Sequence, residues 1–314
     1  MNIISCSQFE TAKDVKRIFD AADKITDPYP RFDPFYVGRG KIMASLFYEP
    51  STRTRFSFET AMLKLGGGVI STEDATQFSS HMKGETLEDT LAVVSRYADV
   101  IVIRHGSGSL DYLNAAVAES RVPVINAGNG SGEHPTQALL DVYTMEKKLK
   151  TINGKNIVLV GDLKHSRTIH SLVYLLTLYK PEAIHLVSPK DLGLPEKYRE
   201  LCKERDVDYY GWRSIKECLY YTSADVIYMT RLQTERFASE GNTIHEDYIS
   251  DCYLGPEEFD RSGDAIIMHP LPRRDEISSY VDDSPRAVYL REQIDSGLAI
   301  RMGILYSIFG EPYV

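Results

Sequence analysis

Short apolar runs recur along this chain, and each gives way to a segment that does not continue as a strand. They fall at 42–47, 100–104, 122–126, 156–160, 183–187, 225–229 and 265–268. Most are near-continuous in Val, Ile, Leu, Ala and Met instead of alternating with polar residues. That is the pattern of strands buried on both faces of a parallel sheet. A parallel neighbour needs a crossover. Segments with helical spacing at 110–119, 134–150, 167–179 and 196–205 supply one, and shorter ones are read at 86–97 and 214–221. Briefer strands are read at 69–71 and 209–212. Amphipathic helices are expected at both ends of the chain, over 8–26 and 288–309, with one short helix in the acidic, irregular stretch 237–260. The spacing predicts an α/β chain of two doubly wound domains, each a parallel sheet flanked by helices. A length of 314 residues fits two domains. The boundary is expected near 150, where the long helix ends.

The residues after the first apolar run are unusual. Phe47-Tyr48-Glu49-Pro50-Ser51-Thr52-Arg53-Thr54-Arg55 leads into a helix whose face carries Phe58, Ala61, Met62 and Leu65, stopped by Gly66, Gly67 and Gly68. Strand, tight turn and helix N-terminus present free backbone N–H groups to an anion. Acidic residues normally complement the dipole there. Here the first turn holds hydroxyls and two guanidinium groups instead. An ordinary Ser/Thr cap beside solvated arginines is the plain alternative. The longer string breaks the local charge rule without visible compensation, which favours an anion site.

The bulk composition makes those arginines more notable. The net charge is −9, which argues against a nucleic-acid surface and suits a small-molecule enzyme. Residues 1–9 are short and polar, unlike a signal peptide, and no stretch approaches the length of a membrane span, so a cytoplasmic protein is expected. Cys6, Cys202, Cys218 and Cys252 lack CxxC spacing, and the histidines form no HExxH or Cys/His cluster. No metal and no cofactor is expected. GxxxxGK[ST] is absent, and Gly128-Asn129-Gly130-Ser131-Gly132 lacks the GxGxxG spacing.

Other polar clusters also sit just beyond predicted strands, where open parallel sheets bind ligands. Arg104 and His105 follow one strand; a glycine loop after the next leads to His134 and Gln137. In the second half the ends deliver Lys164 and Arg167, then Arg231 and Gln233, then 269–274. Arg104 alone would read as solvated, and His134 alone as a cap or packing residue. Asp162 reads as a turn or cap residue. The mixture is rich in cations and neutral donors and has no activated Ser, Cys or Lys nucleophile. It suits binding two anionic substrates and stabilising a charged transition state, not covalent catalysis. One substrate per domain, with the active site in the cleft between them and domain closure, is the expected arrangement.

These residues resemble the carbamoyltransferase superfamily, and within it the aspartate carbamoyltransferase branch, over essentially the whole chain. Ser51-Thr52-Arg53-Thr54-Arg55 and His134-Pro135-Thr136-Gln137 are similar to the two motifs shared by the superfamily. Residues 79–85, Arg231-Leu232-Gln233 and His269-Pro270-Leu271-Pro272 resemble the aspartate branch. The cysteine motif and the Asp-x-x-x-Ser-Met-Gly element usual in the ornithine branch are missing. The resemblance implies a carbamoyl-phosphate-binding domain over 1–150 and an aspartate-binding domain over 151–289, the final helix (about 290–314) packing back onto the first. It implies transfer of the carbamoyl group from carbamoyl phosphate to the amine of L-aspartate, as in pyrimidine synthesis. Another amine acceptor such as ornithine, or a non-catalytic scaffold, are the alternatives.

The roles implied are as follows. Ser51, Thr52, Arg53 and Thr54 hold the phosphate; Arg104, Thr54 and His134 polarise the carbamoyl oxygen; Gln137 and the carbonyls of Pro270 and Leu271 hold the carbamoyl amino group. Arg167 with Thr168 binds the α-carboxylate, and Arg231 and Gln233 the side-chain carboxylate, of aspartate, beside Leu271. The leaving phosphate is the base best placed for the amine proton. On composition, Ser79 and Lys83 lie on a solvent-exposed loop. The resemblance places them in the neighbouring chain's active site, making the working unit a homotrimer with shared sites, with a regulatory chain as a possible partner. It also implies that Glu49 pairs with Arg167 and Arg236 on closure. The chain departs from the family pattern at Asn129, where Asp is expected, at His165, where some members have Tyr, and in a longer 237–260 segment.

Overall fold

The structure is a computed structural model and describes residues 1–29, 33–73, 84–233 and 246–310. It divides into two compact units, 1–140 with 295–314 and 141–294.

In the first unit, β1 (Ile42–Phe47), β2 (Gly68–Glu73), β3 (Val100–His105) and β4 (Val124–Asn129) form one sheet in the order β2-β1-β3-β4. Every pairing is parallel. Helices α1 (Ala12–Thr26), α2 (Thr52–Lys64), α3 (Leu87–Val94) and α4 (Leu110–Ala118) belong to the same unit. The chain winds outward from β1 to β2, then returns to lay β3 on the other side of β1. The switch point of this sheet is therefore between β1 and β3, the position where doubly wound sheets bind ligands. The predicted inner face of α2 holds, since Phe58, Ala61, Met62 and Leu65 are fully buried. Glu59 pegs this helix to the sheet. Its carboxylate accepts from the Ser45 hydroxyl of β1 at 3.0 Å and the Ser71 hydroxyl of β2 at 2.6 Å.

In the second unit, β5 (Asn156–Val160), β6 (Ala183–Val187), β7 (Tyr209–Trp212), β8 (Val226–Met229) and β9 (Ile266–Met268) lie in the order β7-β6-β5-β8-β9, again all parallel. The switch point is between β5 and β8. Gly161 sits there with φ +117°, and a Cβ would fall 2.2 Å from the Thr230 carbonyl, so only glycine lets the two strand ends approach. Ahead of β5 runs α5 (Pro135–Leu149, which starts in the first unit), and between the strands run α6 (Arg167–Leu176), α7 (Glu196–Glu204), α8 (Ile215–Tyr221), α9 (Glu246–Asp251) and α10 (Pro256–Arg261).

Several element readings need correction: the strand read at 122–126 is Val124–Asn129, taking in the start of the glycine loop, and the helix read at 86–97 is Leu87–Val94. The first helix begins at Ala12, because Thr11 caps it in a reciprocal box with Asp14; Cys6–Gln8 is a separate 3-10 turn. The stretch 237–260 holds two short helices within its described part, α9 and α10, the latter started by Pro256. The final helix does not run from 288: a 3-10 turn, Val288–Leu290, ends at Arg291 (φ −132°, ψ −102°), and α11 (Glu292–Phe309) starts afresh. Among the described residues no helix is long and apolar enough to cross a membrane.

Candidate active site

The first cluster stands at the switch point of the first sheet. Ser51 is extended (φ −160°, ψ 100°) and makes no side-chain capping bond. The first backbone bond of α2 is Arg55 N–H to the Ser51 carbonyl at 3.2 Å. The N–H groups of the opening turn are thus left for another acceptor, and that turn holds no acidic residue. Arg55 is half-buried and pairs with Glu59 at 3.4 Å within the helix. Arg53 differs. Its side chain meets solvent, yet neighbouring protein atoms desolvate it enough to hold its guanidinium below the ordinary value. Among the described residues no carboxylate pairs with it. Thr54 is buried one residue on.

Arg104, at the end of β3, is 9% exposed. Its guanidinium donates to the Glu49 carboxylate at 2.5 Å and to the Ser51 hydroxyl at 3.3 Å. Glu49 therefore holds this cation beside the α2 N-terminus. The neighbouring His105 is structural: Nδ1 accepts from Ser107 N–H at 3.1 Å, and the ring packs between Tyr48 and Tyr112.

His134 and Gln137 flank the start of α5 and are both buried. Their loop is set by Asn129, whose side-chain Oδ1 accepts from Asn126 Nδ2 at 3.1 Å and Glu133 N–H at 3.0 Å, while its Nδ2 donates to the Gly108 carbonyl at 3.3 Å. An aspartate could not make the last bond, so the amide has its own structural use at this position. Gly130, with φ +44°, lets the loop close on Gly106 and Gly108. Glu133 anchors the loop to the N-terminal 3-10 turn, accepting from Ser5 Oγ at 2.8 Å and Cys6 N–H at 2.7 Å.

The second unit carries its own cluster at its own switch point. Arg167 and Thr168 open α6 after β5, with Thr168 Oγ1 2.9 Å from Ser166 Oγ. Arg231 and Gln233 follow β8. All four are half-buried. Asp162, fully buried, joins the two strand ends. Its carboxylate accepts from His165 N–H at 2.9 Å, His165 Nδ1–H at 3.0 Å and Gln233 N–H at 3.3 Å. The turn role read from the sequence is present, and the grip on the Gln233 loop is additional. His165 spends its ring on Asp162. Pro270 and Leu271 follow β9, and Leu271 has φ +57°. Ser79, Lys83 and Arg236 lie outside the described residues.

Sequence reasoning named Glu49 only as a partner of Arg167 and Arg236, not of Arg104, and it missed Glu133 and Glu276, which each stand within five residues of a motif residue, the one signal that flags them.

Residues 2–147 match the family model "Aspartate/ornithine carbamoyltransferase, carbamoyl-P binding domain", and residues 153–308 its "Asp/Orn binding domain" partner. The aspartate carbamoyltransferase catalytic subunit of Methanocaldococcus jannaschii is 44% identical, over 93% of this chain and 93% of its own length. The multifunctional protein CAD of Squalus acanthias is 42% identical over 99% of this chain, which spans only 13% of that protein. Among solved structures, the aspartate transcarbamoylase of Trypanosoma cruzi in complex with carbamoyl phosphate and aspartate superposes with a TM-score of 0.86 at 37% identity, covering 98% of this chain and 96% of that one.

Proposed function

Because the chain belongs to the aspartate/ornithine carbamoyltransferase family, we infer that it transfers the carbamoyl group from carbamoyl phosphate to the amine of L-aspartate, giving N-carbamoyl-L-aspartate and phosphate. The observation that carries this is the pairing of near full-length similarity to aspartate carbamoyltransferases with two intact anion-binding clusters, one at each sheet's switch point.

The α2 N-terminus, with Ser51, Thr52, Arg53 and Thr54, takes the phosphate of carbamoyl phosphate: helix N–H groups, hydroxyls and a guanidinium are its natural partners. Arg104, Thr54 and His134 face the carbamoyl oxygen, on which negative charge grows as the amine attacks. Gln137 and the Pro270 and Leu271 carbonyls hold the carbamoyl amino group. Arg167 with Thr168 takes the α-carboxylate of aspartate, and Arg231 with Gln233 the other carboxylate, beside Leu271. The tetrahedral intermediate collapses by breaking the carbonyl–phosphate bond. Arg53 and Arg104 neutralise the departing phosphate, which is also the base for the amine proton. No protein nucleophile takes part. Domains of 1–150 for carbamoyl phosphate and 151–289 for aspartate, a homotrimer sharing Ser79 and Lys83 between chains, a place in pyrimidine synthesis and a cytoplasmic location complete the proposal.

Phosphate release from carbamoyl phosphate, measured with aspartate, ornithine and other amines, tests it. Aspartate is expected to be the preferred acceptor by orders of magnitude. Preference for ornithine would move the chain to the other branch of its family, and no release with any amine would leave it a scaffold.

A further inference from the structure

Leu271 stands in the left-handed region at φ +57°, which a residue with a Cβ adopts only at a cost. Surroundings must hold it there. Its N–H donates to Nδ1 of His269 at 2.7 Å, closing a turn from residue i to i+2. A backbone N–H can only donate, so Nδ1 must be bare and the ring proton sits on Nε2. That proton is donated to Glu276 Oε1 at 2.7 Å. The neutral tautomer of His269 is therefore dictated from both sides. Glu276 is itself fixed: its two oxygens accept from Arg274 N–H at 3.2 and 3.1 Å. Burial alone would raise its carboxyl pKa, but the bonds from His269 and the backbone outweigh that and hold it below the usual range. The backbone of His269 is anchored separately. Its N–H donates to Gln293 Oε1 at 3.0 Å, Gln293 Nε2 donates to Asp141 at 2.7 Å, and Tyr228 donates to the same carboxylate at 2.6 Å. His269 is 2% exposed and Glu276 9%.

Turns of this kind are ordinarily closed by Asn, Asp or Ser, whose short side chains need no further support. A histidine does more here, because its second nitrogen ties the turn to a carboxylate seven residues away. We infer that Glu276 and His269 are a positioning pair, which fixes the direction of the Leu271 carbonyl so that it meets the carbamoyl amino group. This rests on the reading that the Pro270 and Leu271 carbonyls recognise that group. Neither side chain touches substrate; both act through the backbone of Leu271. The geometry matters because a hydrogen bond weakens steeply once its donor and acceptor turn out of line.

Inorganic phosphate provides the internal control, since it binds at the α2 N-terminus and asks nothing of Leu271. Steady-state kinetics of the full-length protein are measured for His269→Phe, which keeps the ring volume but has no acceptor, and His269→Asn, which restores an acceptor for the i+2 N–H. Losing this bond is expected to raise the KM for carbamoyl phosphate about tenfold in His269→Phe, with recovery to within about threefold of the parent in His269→Asn. The inhibition constant of inorganic phosphate stays put in both. Should the ring variants not fold, Glu276→Gln, which keeps an acceptor for Nε2–H but loses the charge, is expected to raise the same KM about threefold at unchanged phosphate inhibition. Equal movement of both constants, equal impairment of Phe and Asn variants, or an unmoved carbamoyl-phosphate KM would overturn the inference. A parent protein that binds phosphate yet releases none from carbamoyl phosphate with any amine defeats the underlying reading, and the inference with it.

Discussion

Two residues can be weighed singly. Arg53 has no carboxylate partner among the described residues, unlike Arg55 and Arg104, so an anion has most to gain from it. Inorganic phosphate at about a hundred times its dissociation constant is expected to add roughly 2.7 kcal/mol, or several degrees, to thermal stability. Arg53→Ala should remove most of that shift, and a shift of the same size in the variant would move the anion elsewhere. His185 illustrates the opposite economy. Nδ1 accepts from the Trp212 indole N–H at 3.1 Å and Nε2 donates to Asn156 Oδ1 at 3.1 Å, so the ring must stay neutral. Burial lowers its pKa. The unfolded chain then takes up the proton first as pH falls through about 6.5, and stability is lost below that by at most about 1.4 kcal/mol per pH unit. Thermal melts between pH 7 and 5 should show this slope lessened in His185→Gln. Trp212 is the only tryptophan, so its fluorescence reports the same loosening.

The helix and strand elements were the most legible part of the chain, for a physical reason. Strands buried on both faces leave continuous apolar runs, so β1, β5 and β6 were read to the residue. Arginines and hydroxyls beyond those runs violate the ordinary rules for helix starts, which made Ser51 to Arg55 visible. The polar supports were legible only in part: Glu49 was read with other partners and Asp162 only as a turn residue, while Glu133 and Glu276 satisfy every local rule as turn or surface residues. Their partners appear only when the chain folds. Caps and single-residue breaks were missed likewise, as at Thr11 and Arg291. Glu59 belongs to this hidden class and sets the attitude of α2 against its sheet. Glu59→Ala leaves the fully buried Ser45 hydroxyl without that acceptor and is expected to cost about 2 kcal/mol in denaturant unfolding. Adding Ser45→Ala should recover part of the loss, since an apolar pair leaves nothing unsatisfied. Simple additivity of the two costs would mean that the peg is not the coupling.

At the scale of the whole molecule, each unit of this acidic chain, of net charge −9, brings one set of cationic strand ends. The family resemblance assigns Lys83 to a loop that enters the site from a neighbouring chain. A homotrimer follows from that proposal, and it has a consequence that sizing alone does not test. If every site takes Arg53 from one chain and Lys83 from the next, Arg53→Ala and Lys83→Ala are each expected to abolish turnover in pure form. Mixing them under dissociating conditions and reassembling gives trimers in which a site is intact only when both contributing chains are sound at the relevant position. With equal amounts and random assembly, that chance is one half for each chain, so about a quarter of parental activity per site should return. The assay is phosphate release with aspartate before and after reassembly, alongside the mass of the reassembled particle. A mixture as inactive as its components would place Lys83 in its own chain's site, whatever the oligomeric state. Activity returning without a trimeric mass would leave sharing intact and change only the number of chains that share.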